Sequence, residues 1–346
     1  MKKLLIVILL IILVSLPVSA MEFSAPEAPK SAQEYMPENT ETFSEGLWQI
    51  IKAAISQLQP GIAEASGVCV SMIAIVVVVG LLSGFSDKPN KAAELAGVLS
   101  FGILMLRSSD SMIRMGIDTV TELSEYGKLL LPVMSAATAA QGGMSTATAL
   151  YTGTTLFITA LSTAITKLIV PMLYVYMALS VASGAIGDEL LKNLQSFLKW
   201  LMTWTLKIGI YIFTGYISIT GVVSGGADAS AIKAAKLTIS GFVPVVGSII
   251  SDASEAVLVS AGVMKSAAGV YGILAMLAIL VDPFLRVGIQ YLMLKTTAAI
   301  CGIFGTKNAT GLINNFAATM GFVLAMIAVV CIMLLISTVC FMKGVS

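Results

Sequence analysis

The stretch FAATMGFVLAMIAVVCIMLLISTVCF, residues Phe316–Phe341, contains no charged residue and is longer than the roughly 20 apolar residues that cross a bilayer as a helix. It is one of several such runs in a chain of 346 residues. The whole chain is 57% hydrophobic, is only 11% charged and has a mean hydropathy of +0.95. Soluble domains carry about 25% charged residues, so this composition predicts a protein solvated by lipid.

Apolar runs of membrane length recur along the chain and predict an all-α, polytopic helical membrane protein with about seven transmembrane helices. Two shorter runs, 95–106 and 129–144, leave the exact number and the side of the C-terminus open. Between them, residues 107–128 alternate charged and apolar side chains and predict an amphipathic helix. The seven predicted spans are Val68–Phe85, Ala147–Ile165, Leu168–Ile186, Leu201–Val223, Ala267–Val281, Val287–Phe304 and Phe316–Phe341.

The N-terminus has the pattern of a cleavable secretory signal. Lys2 and Lys3 precede an apolar run, and small residues end at Ala20, which predicts cleavage between Ala20 and Met21. Residues 1–20 are therefore expected to be a signal peptide. Residues 21–62 are expected to form an acidic extracytoplasmic leader, extended at first and ending in an amphipathic helix, and residues 63–346 a polytopic transmembrane domain.

Residues 226–262 combine apolar character with helix-breaking residues. Pro244 lies between Gly241 and Gly247, and Pro interrupts a helix because it lacks the backbone N–H and clashes with the preceding turn. Irregular backbone at membrane depth is tolerated only inside protein or beside water. The segment is thus either a re-entrant hairpin or broken helix, or a surface loop, and the sequence does not choose between them.

Asp282 and Arg286 lie between two predicted spans and are four residues apart, so that they can pair on one helix face. At membrane depth such a pair indicates a polar pathway. At a membrane interface it belongs to a solvated turn. We favour the turn.

The composition argues against most enzymatic chemistry. The chain has no histidine, which removes the commonest general base and the commonest metal ligand. It contains no phosphate-binding loop of the GxxxxGK[ST] type and no basic tract that indicates nucleic acid. The four cysteines lie in apolar runs and are expected to be buried and unpaired. We therefore expect no catalytic residue, no cofactor and no metal site.

The run KLTISGFVPVVGSIISDASEAV, Lys236–Val257, resembles the stage III sporulation protein AE family of endospore-forming bacteria. The signal-like start and the order of apolar segments extend the resemblance over the whole chain. The residues that match the family-like stretch are the candidate functional positions, with a proposed role in shaping a re-entrant element at a pore or subunit interface. They are Gly241, Phe242, Pro244, Gly247 and Asp252.

The resemblance implies a role in assembly. Members of the family lie in the mother-cell membrane that surrounds the forespore, within a channel or feeding-tube complex that resembles secretion systems. The implied partners are other membrane proteins of that complex, including a secretion-type ATPase and ring-forming subunits. This function is non-enzymatic. The alternative is a self-sufficient secondary transporter, for which the broken segment 239–252 and the Asp282–Arg286 pair are the motivation.

Overall fold

The computed structural model describes residues 25–37, 42–84, 91–140, 144–219, 267–303 and 307–344, and every regular element in these ranges is helical. The elements, numbered in chain order, are α1 (Lys30–Gln33), α2 (Phe43–Ser56), α3 (Gln59–Gly84), α4 (Lys91–Ala140), α5 (Met144–Ala164), a π turn (Ile165–Ile169), α6 (Val170–Ile186), α7 (Glu189–Ile219), α8 (Ala267–Ile303) and α9 (Lys307–Gly344). The prediction of an all-α protein is confirmed for these residues.

Helix α9 is the centre of the bundle. It contacts α4, α5, α6, α7 and α8, and 94% of its most apolar window is buried. Its neighbours approach closely where they present glycine: a Cβ on Gly116 of α4 would lie 2.5 Å from Cγ1 of Val323. An apolar helix that is enclosed on all sides is a core helix, whatever its hydropathy.

Contacts between the helices fix their directions. Helix α4 runs parallel to α9, because Gly116 meets Val323 and Gly127 meets Leu334. Helix α8 runs antiparallel to α9, since Gly269 packs against Met342 at the other end from the Lys295–Asn314 contact. The α5–α6 segment is antiparallel to α4, and α7 is antiparallel to α5.

Two of the predicted interruptions are absent from the described helices. The short apolar run 95–106, the polar segment 107–128 and most of the run 129–144 form one helix, α4, of 50 residues. This prediction of separate segments was wrong because α4 is held by tertiary contacts along its whole length, so that a change in composition does not end it. The predicted spans Ala147–Ile165 and Leu168–Ile186 are likewise continuous through the π turn.

The π turn has a local cause. Pro171 follows it at the second residue of α6 and has no N–H to donate to the carbonyl of Lys167. The wider i→i+5 turn of a π-helix absorbs this defect while the backbone stays helical on both sides, at Ala164 and Val170. Helix α6 is capped by Gly187, the residue after its last helical position. The φ of Gly187 is 75°, which is left-handed, and its N–H donates to the carbonyl of Ser183 at 2.8 Å.

Four helical stretches within the described residues are long and apolar enough to cross a membrane. They are Gln59–Leu81, Ala147–Ile186, Ala268–Ile303 and Asn308–Met342. The predicted number of about seven spans stays a prediction. Cys69, Cys301, Cys331 and Cys340 are buried, as predicted, and none of them forms a disulfide with another.

Candidate functional site: a polar layer across the bundle

The sequence-predicted site falls mostly outside the described residues. Gly241, Phe242, Pro244, Gly247 and Asp252 lie there, as do Ala20 and Met21 at the predicted cleavage site. Asp282 and Arg286 of the predicted set lie within the described residues, in α8.

Asp282 and Arg286 form an ion pair within an uninterrupted helix. Nε of Arg286 donates to Oδ1 of Asp282 at 2.7 Å. The Arg286 side chain is 30% exposed and the Asp282 side chain is 19% exposed. Helix α8 continues from Ala267 to Ile303 through Pro283, so the favoured interpretation of a solvated turn was wrong. Pro283 removes one backbone hydrogen bond from the helix, and the ion pair begins beside that defect and spans the next turn.

Tyr35 of the leader lies beside this ion pair. Its hydroxyl donates to Oε1 of Gln57 at 2.7 Å, in the turn between α2 and α3. Burial, followed by the charge of Asp282, raises the pKa of Tyr35 above its ordinary value. The neutral phenol therefore persists as a donor, and the leader, the α2–α3 turn and α8 meet at one junction.

The described part of the leader, residues 25–37, packs onto the bundle. Ala28 and Ala32 are buried, and the Ala28 N–H donates to the Tyr271 hydroxyl at 3.3 Å. The hydroxyl of Tyr126 donates to the Pro26 carbonyl at 3.3 Å, and Ser31 donates to the carboxylate of Glu122. Residues 25–29 have no regular secondary structure and Lys30–Gln33 form the short helix α1. Alanines and a tyrosine among the acidic residues supply the face that packs.

A buried hydrogen-bond chain links α6, α9 and α7. The Tyr176 hydroxyl donates to Oδ1 of Asn315 at 3.2 Å, and Nδ2 of Asn315 donates to Oε1 of Gln195 at 3.3 Å. Among the described residues nothing accepts a hydrogen bond from Nε2 of Gln195, which is buried. On the other side of α9, Nζ of Lys295 in α8 donates to Oδ1 of Asn314 at 3.0 Å.

Further contacts bring α4 into the same layer. Nε2 of Gln290 in α8 donates to the Ser108 hydroxyl at 3.3 Å, and the Tyr174 hydroxyl donates to Oδ1 of Asp110 at 2.7 Å. Asp110 also accepts from Nε of Arg114 at 2.8 Å. Hydroxyls, amides and charged groups thus join α4, α6, α7, α8 and α9 at one level of the bundle, which we call the polar layer.

No pattern in the sequence marks the polar layer as one unit. Its members are Ser108, Asp110, Tyr174, Tyr176, Gln195, Gln290, Lys295, Asn314 and Asn315. One signal was present: the adjacent amides Asn314 and Asn315 stand within an otherwise apolar helix, and polar side chains in such helices mark packing or function. The others look like isolated polar residues until the helices are assembled.

The chemistry of the layer is that of helix association. Hydrogen bonds between helices in a membrane protein contribute on average about 0.6 kcal/mol each, and model peptides give about 1–2 kcal/mol. The bonds of the layer fix the rotation of α9 relative to its neighbours, because amides on both sides of α9 must face their partners.

Comparison with known proteins identifies the family. The profile described as stage III sporulation protein AE matches residues 31–344. This chain belongs to the stage III sporulation protein AE family. It is 22% identical over 317 residues to the Bacillus subtilis (strain 168) protein named stage III sporulation protein AE, a match that covers 90% of this chain and 79% of that protein. No solved structure matches the chain.

Proposed function

We propose that this chain is a non-enzymatic integral membrane subunit of the channel complex between mother cell and forespore that endospore formation requires. The observation that carries the proposal is the family match over residues 31–344. The described architecture agrees with a scaffold. The buried helix α9 contacts each helix from α4 to α8, and amides and hydroxyls of the polar layer link α9 to α6 and α7 by hydrogen bonds.

The proposed location is the mother-cell membrane around the forespore, and the proposed partners are membrane proteins of the same complex, including ring-forming subunits and a secretion-type ATPase. Exposed apolar side chains on α3 and on the first part of α4 support the membrane location. They include Val70, Val78, Leu81, Leu99 and Ile103. No residue of the chain is assigned a catalytic role.

The test is deletion of the gene in a sporulating host together with affinity purification of a tagged, functional copy. We expect the deletion to stop sporulation after engulfment. We also expect the tagged protein, crosslinked before solubilisation, to recover other membrane proteins of the complex and an ATPase. Normal numbers of heat-resistant spores from the deletion strain would falsify the proposal.

A second candidate is a self-sufficient secondary transporter, which the buried amide of Gln195 and the half-buried Asp282–Arg286 pair favour. Such a protein moves a solute in proteoliposomes without partners. Substitutions Asp282→Asn and Arg286→Gln should then abolish the flux. Purified protein that catalyses no flux, while the intact gene complements the deletion, excludes this candidate.

A further inference from the structure

The long helices of the bundle exceed the thickness of a membrane. At 1.5 Å per residue, the 50 residues of α4 extend about 75 Å and the 38 residues of α9 about 57 Å, against a hydrocarbon core of about 30 Å. Because α4 and α9 run parallel and in contact, the same part of each projects from the membrane. The exposure of polar and apolar side chains along the bundle therefore indicates which part lies in the hydrocarbon core.

Helix α3 has the length and exposure of a lipid-facing span. Its apolar stretch, Gln59–Leu81, covers 23 residues, and only 22% of its most apolar window is buried. Val79 packs against Gly97 near the start of α4. At this level the outward positions of α4 are also apolar, with Leu99 and Ile103 exposed. The exposed side chains of α3 and of the first part of α4 thus form one apolar surface at this end of the bundle, which we call the apolar collar.

The outward face of α4 changes beyond this collar. Exposed residues continue at spacings of three and four, so that they lie on one face of the helix, but their side chains are now charged or hydroxylated. These residues are Arg107, Ser111, Arg114, Asp118, Thr121 and Glu125. A row of ionisable side chains along an outward helix face is not tolerated against hydrocarbon.

The leader packs against this same half of the bundle. It contacts Glu122 and Tyr126 of α4 and Tyr271 of α8, and it carries three exposed charged residues, Glu27, Lys30 and Glu34. A segment with these exposed charges and only one short helix requires water around it. The half of the bundle beneath the leader is therefore in an aqueous environment.

The apolar residues of α8 and α9 in the leader-covered half are packed against other parts of the protein. Residues 273–279 of α8 are buried, as is α9 from residue 320 to 335. On the outer face of α5, Thr152, Thr159 and Thr163 are exposed, together with Tyr151 and Leu156. The interior of this half is therefore apolar and enclosed by protein, and its surface carries both polar and apolar side chains.

Aromatic residues mark the level between the two halves. Trp200 and Trp204 of α7 are exposed and lie 6.1 Å apart between ring centroids, one to three turns beyond Gln195 of the polar layer. Trp prefers the membrane–water interface. Helix α7 also exposes Glu189, Lys192 and Lys199 before these tryptophans and Ile208, Tyr211 and Ile212 after them. The choice of half therefore rests on α3, α4 and the leader.

We propose that the hydrocarbon core encloses only the α3 end of the bundle, and that the leader-covered half projects into water on the side of the mature N-terminus. The apolar collar of α3 and α4 is the lipid-binding surface, and the polar layer lies close to the boundary. With a signal peptide at Met1–Ala20, the projecting half is extracytoplasmic. This assignment rests on the proposed function for the existence of a membrane around the bundle.

The test is site-directed spin labelling of the full chain in phosphatidylcholine–phosphatidylglycerol vesicles. The native cysteines are buried, so single substitutions to cysteine are made at outward positions, with unsubstituted protein as the background control. Val70→Cys and Ile103→Cys probe the collar, and Glu125→Cys and Thr159→Cys probe the projecting half. Leu123→Cys, on the buried face of α4, is the protein-enclosed reference.

Oxygen and a water-soluble nickel chelate distinguish the possible environments of each label. We expect the collar labels to collide several-fold more with oxygen than with the chelate, and the labels at 125 and 159 to show the reverse. Low accessibility to both reagents at Val70 places protein on the collar and overturns the lipid assignment. Chelate access at Val70 with oxygen preference at Thr159 overturns the choice of half.

The side of the membrane is tested separately with a membrane-impermeant maleimide on intact cells that express the chain. Glu125→Cys should react in intact cells, whereas Asp188→Cys, in the exposed α6–α7 turn, should react only after permeabilisation. The opposite pattern overturns the extracytoplasmic assignment. None of these measurements depends on sporulation, so their failure is distinguishable from a failure of the channel-subunit function.

Discussion

Helices α3 and α9 are both strongly apolar, yet they have opposite surroundings. The mean hydropathy of their most apolar windows is 2.4 and 2.9, but 22% of the first window and 94% of the second are buried within the protein. A high hydropathy indicates that a helix is more stable away from water, and its neighbours can then be either lipid or protein. In this bundle the most apolar helix is the one that is most enclosed by protein.

The largest expected effect separates core packing from lipid exposure. Phe322→Ala in α9 removes a fully buried ring and should lower the free energy of unfolding by about 3–5 kcal/mol. Val78→Ala, on the exposed face of α3, should change it by less than about 0.5 kcal/mol. Denaturant unfolding in detergent measures both. Equal losses would show that α3 is packed against protein as tightly as α9.

The polar layer sharpens the comparison because its amides lie on the buried helix. Asn315→Leu deprives the buried Tyr176 and Gln195 of a partner and should cost about 2–3 kcal/mol. Asn314→Leu is the matched control, because its partner Lys295 is exposed and regains water. The same unfolding measurement is used. A larger loss of unfolding free energy for Asn314→Leu than for Asn315→Leu would contradict the role of Asn315 as the partner of the buried Tyr176 and Gln195.

Close packing of α9 predicts a difference between two glycines. In Gly116→Ala the new methyl group lies 2.5 Å from Val323, so α4 and α9 must separate, at a cost of about 1–3 kcal/mol. Gly80 of α3 has no atom within 4 Å of a built Cβ. Gly80→Ala should therefore stabilise the helix by up to about 1 kcal/mol. Thermal midpoints compare the two, and a loss at Gly80 reveals a neighbour packed on α3.

The smallest expected effect concerns the ion pair on α8. Asp282→Asn keeps the side-chain shape but removes the charge, and partly exposed pairs contribute about 0.2–1 kcal/mol. We expect a loss within this range and normal complementation of a gene deletion. The control is Glu189→Gln, which removes the exposed ion pair between Glu189 and Lys192 on α7, outside the polar layer. Complete loss of complementation by a stably folded Asp282→Asn protein contradicts a structural role for the pair.

The sequence was sufficient for the all-α class, the buried cysteines and the family. It failed on helix continuity because charged residues such as Asp118 and Glu125 lie on the outward face of α4, while Leu123 and Tyr126, close to Glu125 in the sequence, are buried on the inward face. A window average mixes the two faces. The polar layer was not predictable because its partners are distant in sequence: Tyr176 and Asn315 are 139 residues apart and meet only when the bundle forms.

The central position of α9 has a consequence for biosynthesis. Translation proceeds from the N-terminus at about 5–20 residues per second, so α9, around which the others pack, leaves the ribosome after every other described helix. Until α9 has been synthesised, the earlier helices lack the surface against which they are finally buried. The α8–α9 hairpin then closes the assembly, so a product that is truncated before α9 lacks the surface on which the other helices are finally buried.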